Sequence, residues 1–344
     1  MSAEPLPRPL RAIDRFVFAP EDARRLAAIR IGLFGLVAIR LATNGDFAAV
    51  AGQPPALFDP ISLFELLPSM PSPGLTAVLQ VVGVIAALLA AAGLWPRASF
   101  PAAFAIAVFL NLMLNATGKV VHNDVLAILC LLPLLAAPRA ATEAWVLRLR
   151  RRAAPAPERG GVGRAYGWPV RTAMIVVGLA YLIAGLQKLR YSGFDWFASD
   201  NLRFVLWASS DAQASPNALA LFVADHDWLA HAFAAMTIVV EVGFILCLPF
   251  ARLRWLLVPA VVGLHLGIWL AMGLNYLPQA LTVVIVFVNW AALADRVGGK
   301  RSRYPWRRPS RAAEGPGPSR PPQPAEPPGA EHGATAGIDG GSFR

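Results

Sequence analysis

Apolar residues run through this chain in long blocks and not in short alternations. The blocks cover about 26–42, 74–94, 98–116, 123–137, 168–189, 228–250, 254–274 and 278–293. A helix that crosses the hydrocarbon core of a bilayer needs about 20 apolar residues, with a working range of about 17–25. The pattern therefore predicts an all-α, multi-pass membrane protein with about eight transmembrane helices. The first block is short and only partly apolar, because it carries Arg30 and Arg40.

The segments between the blocks have their own character. Pro20, Glu21 and Asp22 put a proline and two acids at a helix start, where fixed φ and the helix dipole favour them. The connection from 43 to 73 is rich in Pro and Gly. Its run "ALFDPISLFELLP" is apolar but too short to span, so it is expected to lie at the interface or to re-enter. Residues 138–164 read as a basic amphipathic helix followed by a linker. The polar stretch up to Asp227 reads as a connection with two short interfacial helices. Beyond residue 300 the chain is Pro, Gly, Arg and Ser rich with almost nothing apolar, the composition of a disordered tail. The expected divisions are an N-terminal segment over 1–19, a transmembrane domain over 20–295 and a basic tail over 296–344.

Composition agrees with the pattern. The chain has 344 residues, 56% hydrophobic and 15% charged, against about 25% charged in a soluble domain. The net charge of +10 does not mark a nucleic-acid binder, because the basic residues sit in short runs between the apolar blocks. That is where orientation signals belong. Residues 139, 148, 150, 151, 152, 159, 164 and 171 are all arginine, and Arg97, Arg252 and Arg254 lie in connections on the same side. The alternate connections carry Asp46, Asp59, Glu65, Asp195, Asp200, Asp211, Asp225 and Asp227. Cytoplasmic loops collect Lys and Arg, so both termini are expected in the cytoplasm. The first 25 residues are polar and basic, with no secretory signal pattern. Cys130 and Cys247 both fall inside apolar blocks and read as small core residues with no disulfide or metal framework. Only Lys119, Lys188 and Lys300 are lysine among 31 basic residues. That bias reads as a GC-rich bacterial source, and so a bacterial plasma membrane.

Ionisable residues at membrane depth are rare and by default functional candidates. With the orientation above, they gather in the middle and outer half. Lys188 ends the outward-running fifth block, and Tyr181 lies seven residues before it on the same helix face. His122 and Asp124 open the fourth block on the outer side. Asn111, Asn115 and Lys119 recur every four residues. His265 lies 11 residues into the seventh block, about 16 Å from its start at 1.5 Å per residue. Glu241 is also near the middle. Each has a structural alternative. Lys188 is either a headgroup anchor that snorkels or a buried functional amine. His122 either caps a helix or lines a site. His265 either bonds a neighbouring helix or acts in chemistry. Glu241 needs a partner or a proton, with Arg30 or a histidine as the candidate.

The string Tyr181-x-x-Ala184-Gly185-Leu186-Gln187-Lys188-Leu189, followed by Asp195-Trp196, resembles the corresponding region of the vitamin K-dependent gamma-carboxylase. More broadly the chain resembles the horizontally transferred transmembrane (HTTM) domain family, to which that enzyme's membrane part is related. "HNDVLAILCLLPLL", "VVEVGFIL" and "VGLHLGIWLAMGLNYLPQALTVVIVF" fit the family in the same order, so the resemblance covers roughly residues 20–295. It implies Lys188 as the base that deprotonates a reduced vitamin K or menaquinone-type quinol, with His122 and His265 as site histidines. Glu241, Tyr181, Asn115, Asp124 and Asp195 would complete a polar cavity. An apolar setting favours the uncharged amine, and arginine cannot serve as the base because it keeps its proton. The chain departs from the carboxylase at Gln187, where that enzyme has a second lysine, and in the inserted "RYSG" before Phe194. No counterpart of the carboxylase's lumenal substrate region is expected. Two function classes stay open at this point. One is a quinol-dependent oxidase or carboxylase-like enzyme. The other is a non-enzymatic membrane protein that binds a lipid, a quinone or a peptide partner.

Overall fold

A computed structural model describes residues 8–118, 121–137, 162–213 and 215–299. The predicted basic helix and linker, Lys119 and the C-terminal tail fall outside the described residues.

Helix α1 (Arg8–Val17) precedes a two-residue strand β1 (Glu21–Asp22), which pairs antiparallel with β2 (Val162–Gly163). The acids expected at a helix start do that work. Asp22 is the N-cap of α2 (Ala23–Thr43), and its carboxylate accepts the backbone N–H of Arg24 at 2.7 Å. Satisfying one of the first four orphan N–H groups in this way is what makes Asp a good cap. Helix α2 is apolar around most of its circumference, and such a helix belongs in a core. Leu26, Ile29, Leu33, Phe34, Val37 and Leu41 are buried, and the Phe34 ring lies 4.7 Å from that of Phe100.

A short helix α3 (Asp46–Ala51) and two 3₁₀ turns, Pro55–Leu57 and Ser62–Leu66, fill the connection expected to stay short of spanning. Helix α4 (Pro73–Ala92) starts with Pro at its first position behind a Ser72 cap, and Val78, Val81, Ile85 and Leu88 form an exposed apolar stripe along it. Spacings of three and four residues keep such side chains on one face. In a membrane that face meets lipid. Helices α5 (Pro96–Leu114) and α6 (Val125–Ala136) follow. Helix α7 is Arg164–Ser192. The polar connection after it forms three short helices, α8 (Asp195–Ala198), α9 (Asn201–Asp211) and α10 (Ala218–Ala224). Helix α11 (Asp227–Gly243) runs on into a 3₁₀ turn to Cys247, and α12 is Arg254–Met272. Helices α13 (Leu277–Phe287) and α14 (Trp290–Val297) complete the fold, with α2 packed against α4, α5, α6, α7, α13 and α14.

Every predicted block is helical, but the expected count of eight spans needs adjusting. Six helices among the described residues are long and apolar enough to cross a membrane. The last block bends by 71° between α13 and α14, so it is at most one broken span. Asn289 causes the break locally, because its side chain accepts the N–H of Ala292 and starts a new helix. Helix α6 has 12 residues, about 18 Å at 1.5 Å per residue, against a hydrocarbon core of about 30 Å. Apolar content continues through both places, so hydropathy alone does not show the change in backbone.

One end of the bundle is tied by buried charges. Glu21 accepts from Arg25 at 2.7 Å and from Arg171 at 3.2 Å, joining α2 to α7. Arg24 bridges Asp22 and Asp295 at 2.7 Å each, joining α2 to α14. The end of α7 far from this network, with its neighbours on α11 and α12, carries the candidate site.

Candidate functional site

Tyr181, Gly185 and Lys188 are spaced by four and three residues, so they lie on one face of α7. That face meets α11. A Cβ on Gly185 would sit 2.7 Å from Val242 Cγ2 and 3.1 Å from Glu241 Cβ, so only glycine lets the two backbones approach this closely. The approach puts Lys188 Nζ within reach of Glu241, and the ammonium donates to both carboxylate oxygens, at 2.8 and 2.7 Å. Glu241 is buried, whereas the Lys188 side chain keeps 24% of its surface exposed. Trp196, from α8, lays its ring 5.4 Å from Nζ, a cation–π distance.

Two turns from Lys188 along the same face, the Tyr181 hydroxyl and His265 Nε2 share a 2.6 Å hydrogen bond between α7 and α12. Phe244 packs on Tyr181 with ring centroids 5.1 Å apart. Helix α12 ends at Gly273 in the left-handed region, φ +70°. A residue without a Cβ adopts that turn freely, and the reversal carries Tyr276 back beside His265. The Tyr276 ring lies 6.1 Å from His265 and 5.2 Å from His122. Gln279 of α13 donates to the His122 carbonyl at 3.1 Å. His122 lies in the connection before α6. Partial burial, with the positive charge of Lys188 second, holds its imidazole below the usual histidine range.

Five of the sequence-derived candidates thus come together: Lys188, Glu241, Tyr181, His265 and His122. The other three stand elsewhere. The Asn115 side chain braces the turn after α5, donating to the carbonyls of Asn111 at 2.7 Å and Val121 at 3.0 Å. Asp124 pairs with Arg40 at 2.6 and 3.1 Å, fixing the start of α6 against α2. Asp195 opens α8 and is exposed. The partner of Glu241 is Lys188, where the sequence pointed to Arg30 or a histidine. The helix spacing shows which residues share a face, but it does not show which helices adjoin. Tyr276 and the placement of Trp196 over the ammonium were also missed, because both depend on how a connection folds back. Cys130 and Cys247 are buried free thiols, as expected for core residues.

Two polar atoms in this neighbourhood are buried with no hydrogen-bond partner, His265 Nδ1 and Trp196 Nε1. Buried polar groups are nearly always satisfied, so both atoms are exceptions to the rule. The chemical resource is a mobile proton. A carboxylate and an ammonium in contact away from bulk water can pass a proton between them, and the half-exposed partner is the one a ligand reaches.

Six helices of spanning length and apolar character, packed around a charged and aromatic cluster, define a polytopic helical membrane protein. The chain belongs to the HTTM domain family, whose profile matches residues 18–290. No curated protein and no solved structure matches it.

Proposed function

We propose that this protein binds a membrane-borne quinol of the reduced menaquinone or vitamin K type and removes a hydroxyl proton from it with Lys188. The observation that carries this reading is the bidentate Lys188–Glu241 contact, with Nζ still partly exposed. The surroundings fit such a ring. Trp196, Tyr276 and His122 are aromatic rings near the pair, and His265 Nδ1 is an unpaired polar atom. A bound quinol supplies an acidic hydroxyl and reducing electrons.

The residues supply the rest. Lys188 as an ammonium cannot accept a proton. It first passes one to Glu241, and the neutral amine then takes the hydroxyl proton of the ligand. One proton enters the pair in total, and it comes to rest on the carboxylate. Tyr181 holds His265 in place through their hydrogen bond. An ion pair so poised does not require a free amine in the resting protein, as the expectation from burial alone did. The loop charges support an outer-leaflet site and both termini in the cytoplasm, and the preference for arginine over lysine supports a bacterial plasma membrane. Oxidation of the quinol by molecular oxygen, followed by carboxylation of a carbon acid with carbon dioxide, is the finer reaction that the resemblance to the gamma-carboxylase supports.

The test is native mass spectrometry of the purified protein for a co-purified quinone, followed by turnover of an added menaquinol. Lys188→Ala should abolish turnover with folding intact. Full activity in that variant sinks the enzyme reading. A second reading has its own support, since the same ion pair clasps α7 to α11. A non-enzymatic lipid, quinone or peptide binder would need only the charge, so Lys188→Arg would then keep function. The enzyme reading expects loss.

A further inference from the structure

The proposed function leaves the buried indole N–H of Trp196 unexplained. We propose that Trp196 is the hydrogen-bond donor to the same ligand oxygen from which Lys188 takes a proton, so that it holds that oxygen as negative charge develops on it. The inference rests on the reading of Lys188 as a base and gives Trp196 a role beyond its aromatic face.

Three observations converge. Trp196 Nε1 is shielded from solvent and has no hydrogen-bond partner. An indole N–H only donates, so the missing group is an acceptor. The ring lies 5.4 Å from Lys188 Nζ, so the indole and the ammonium are neighbours. Both Glu241 oxygens already face Nζ, at 2.8 and 2.7 Å, so the donor is not needed to satisfy that carboxylate. A donor fixed in advance where negative charge appears acts in the transition state at little reorganisation cost, and a water-poor site strengthens it. Such a donor selects ligands by charge. It favours an aromatic hydroxyl that becomes phenolate over an otherwise identical ether. The ligand class is therefore an aromatic alcohol with an ionisable hydroxyl, bound through that oxygen.

The probe is 4-nitro-1-naphthol, whose phenol and phenolate forms absorb at different wavelengths, with 1-methoxy-4-nitronaphthalene as its non-ionisable analogue. Binding of both to the full chain in detergent is measured by titration, with the absorbance of the bound naphthol followed against pH. Trp196→Phe keeps an aromatic ring at this position and removes the N–H together with one ring of the indole, and the methyl ether reports the lost packing. The variant is expected to weaken phenolate binding at least about tenfold, or about 1.4 kcal/mol, the lower end for one hydrogen bond to a charged group, and to leave binding of the methyl ether unchanged. The apparent pKa of the bound naphthol should rise by about one unit, which is the same tenfold change. Equal affinity for phenolate in the variant and the wild type overturns the proposal. So does equal loss of both ligands, which marks Trp196 as packing alone. Lys188→Gln separates the two levels. If it leaves phenolate binding unchanged, or if the wild-type chain binds neither compound, the base reading itself fails and this inference falls with it. If Lys188→Gln weakens phenolate binding and Trp196→Phe does not, only the role of Trp196 is lost.

Discussion

At the scale of single residues, the site is organised by compensation of charge. A carboxylate buried among apolar helices is expensive, and removing the partner of such a pair leaves an uncompensated charge that costs several kcal/mol, about 3–5 in typical cases. Glu241 is therefore bound to Lys188, and the ammonium in turn acts on its surroundings. His122 reports that field, because the positive charge of Lys188 adds to partial burial in holding its imidazole below the usual histidine value. At neutral pH the ring is thus uncharged, and it gains its proton only as pH falls. Removing the lysine charge makes protonation easier, so Lys188→Gln should move the His122 titration upward, toward the ordinary value of about 6.5. Imidazole NMR of a ¹⁵N-histidine-labelled sample in detergent reads this directly, with His122→Gln to assign the signal. A midpoint that stays put in Lys188→Gln would place the lysine charge farther from His122 than the structure does. Residue types alone made Lys188, Glu241 and His265 candidates, since ionisable side chains rarely enter a span. They did not show that Lys188 and Glu241 neutralise each other, because a partner 53 positions away is set by packing and not by periodicity.

At the scale of elements, the contact between α7 and α11 sets the geometry of the site. Gly185 is the point of closest approach, and any side chain there must push the helices apart. Overpacking of this kind typically costs about 1–3 kcal/mol. Gly185→Val should therefore lower the thermal unfolding midpoint and, by separating Lys188 from Glu241, weaken ligand binding as well. Gly243→Ala is the control on α11, where a Cβ meets nothing within 4 Å. Ala also forms helix more readily than Gly, by about 1 kcal/mol, so this variant should unfold at the same temperature or slightly higher. Equal destabilisation by the two would deny Gly185 a special place. The helices themselves were legible, because apolar blocks at spanning length leave few alternatives. The 71° bend between α13 and α14 was not. It follows from the capping side chain of Asn289 in a stretch that stays apolar throughout.

At the scale of the whole molecule, the two ends of the bundle differ in chemistry. One end is held by the Glu21, Arg25 and Arg171 network and the Arg24 bridge, and the other end of α7 carries the ion pair with its aromatic cover. In the orientation proposed from loop charge, the first end faces the cytoplasm. A single cysteine introduced at Ser199, in the connection after α8, should then react with a membrane-impermeant maleimide added to intact cells, whereas one introduced at the exposed Ala98, at the start of α5, should react only after the cells are opened. The native thiols are buried, so background labelling is low. The reverse pattern would invert the topology and move the site to the inner leaflet.

What the sequence determined by itself is the membrane character, the helical class, the places where helices form, and the short set of residue types that carry chemistry. These follow from hydrophobicity and the 3.6-residue period, and both are properties of neighbours along the chain. The tertiary structure decided the rest: that Lys188 meets Glu241, that Asp124 belongs to Arg40, that Tyr276 folds back over His265 and His122, and that Trp196 leaves its N–H unpaired beside the ammonium. Each of these joins residues far apart in sequence. Such contacts depend on which helices adjoin and how closely they pack, and a glycine such as Gly185 settles that through the space it leaves.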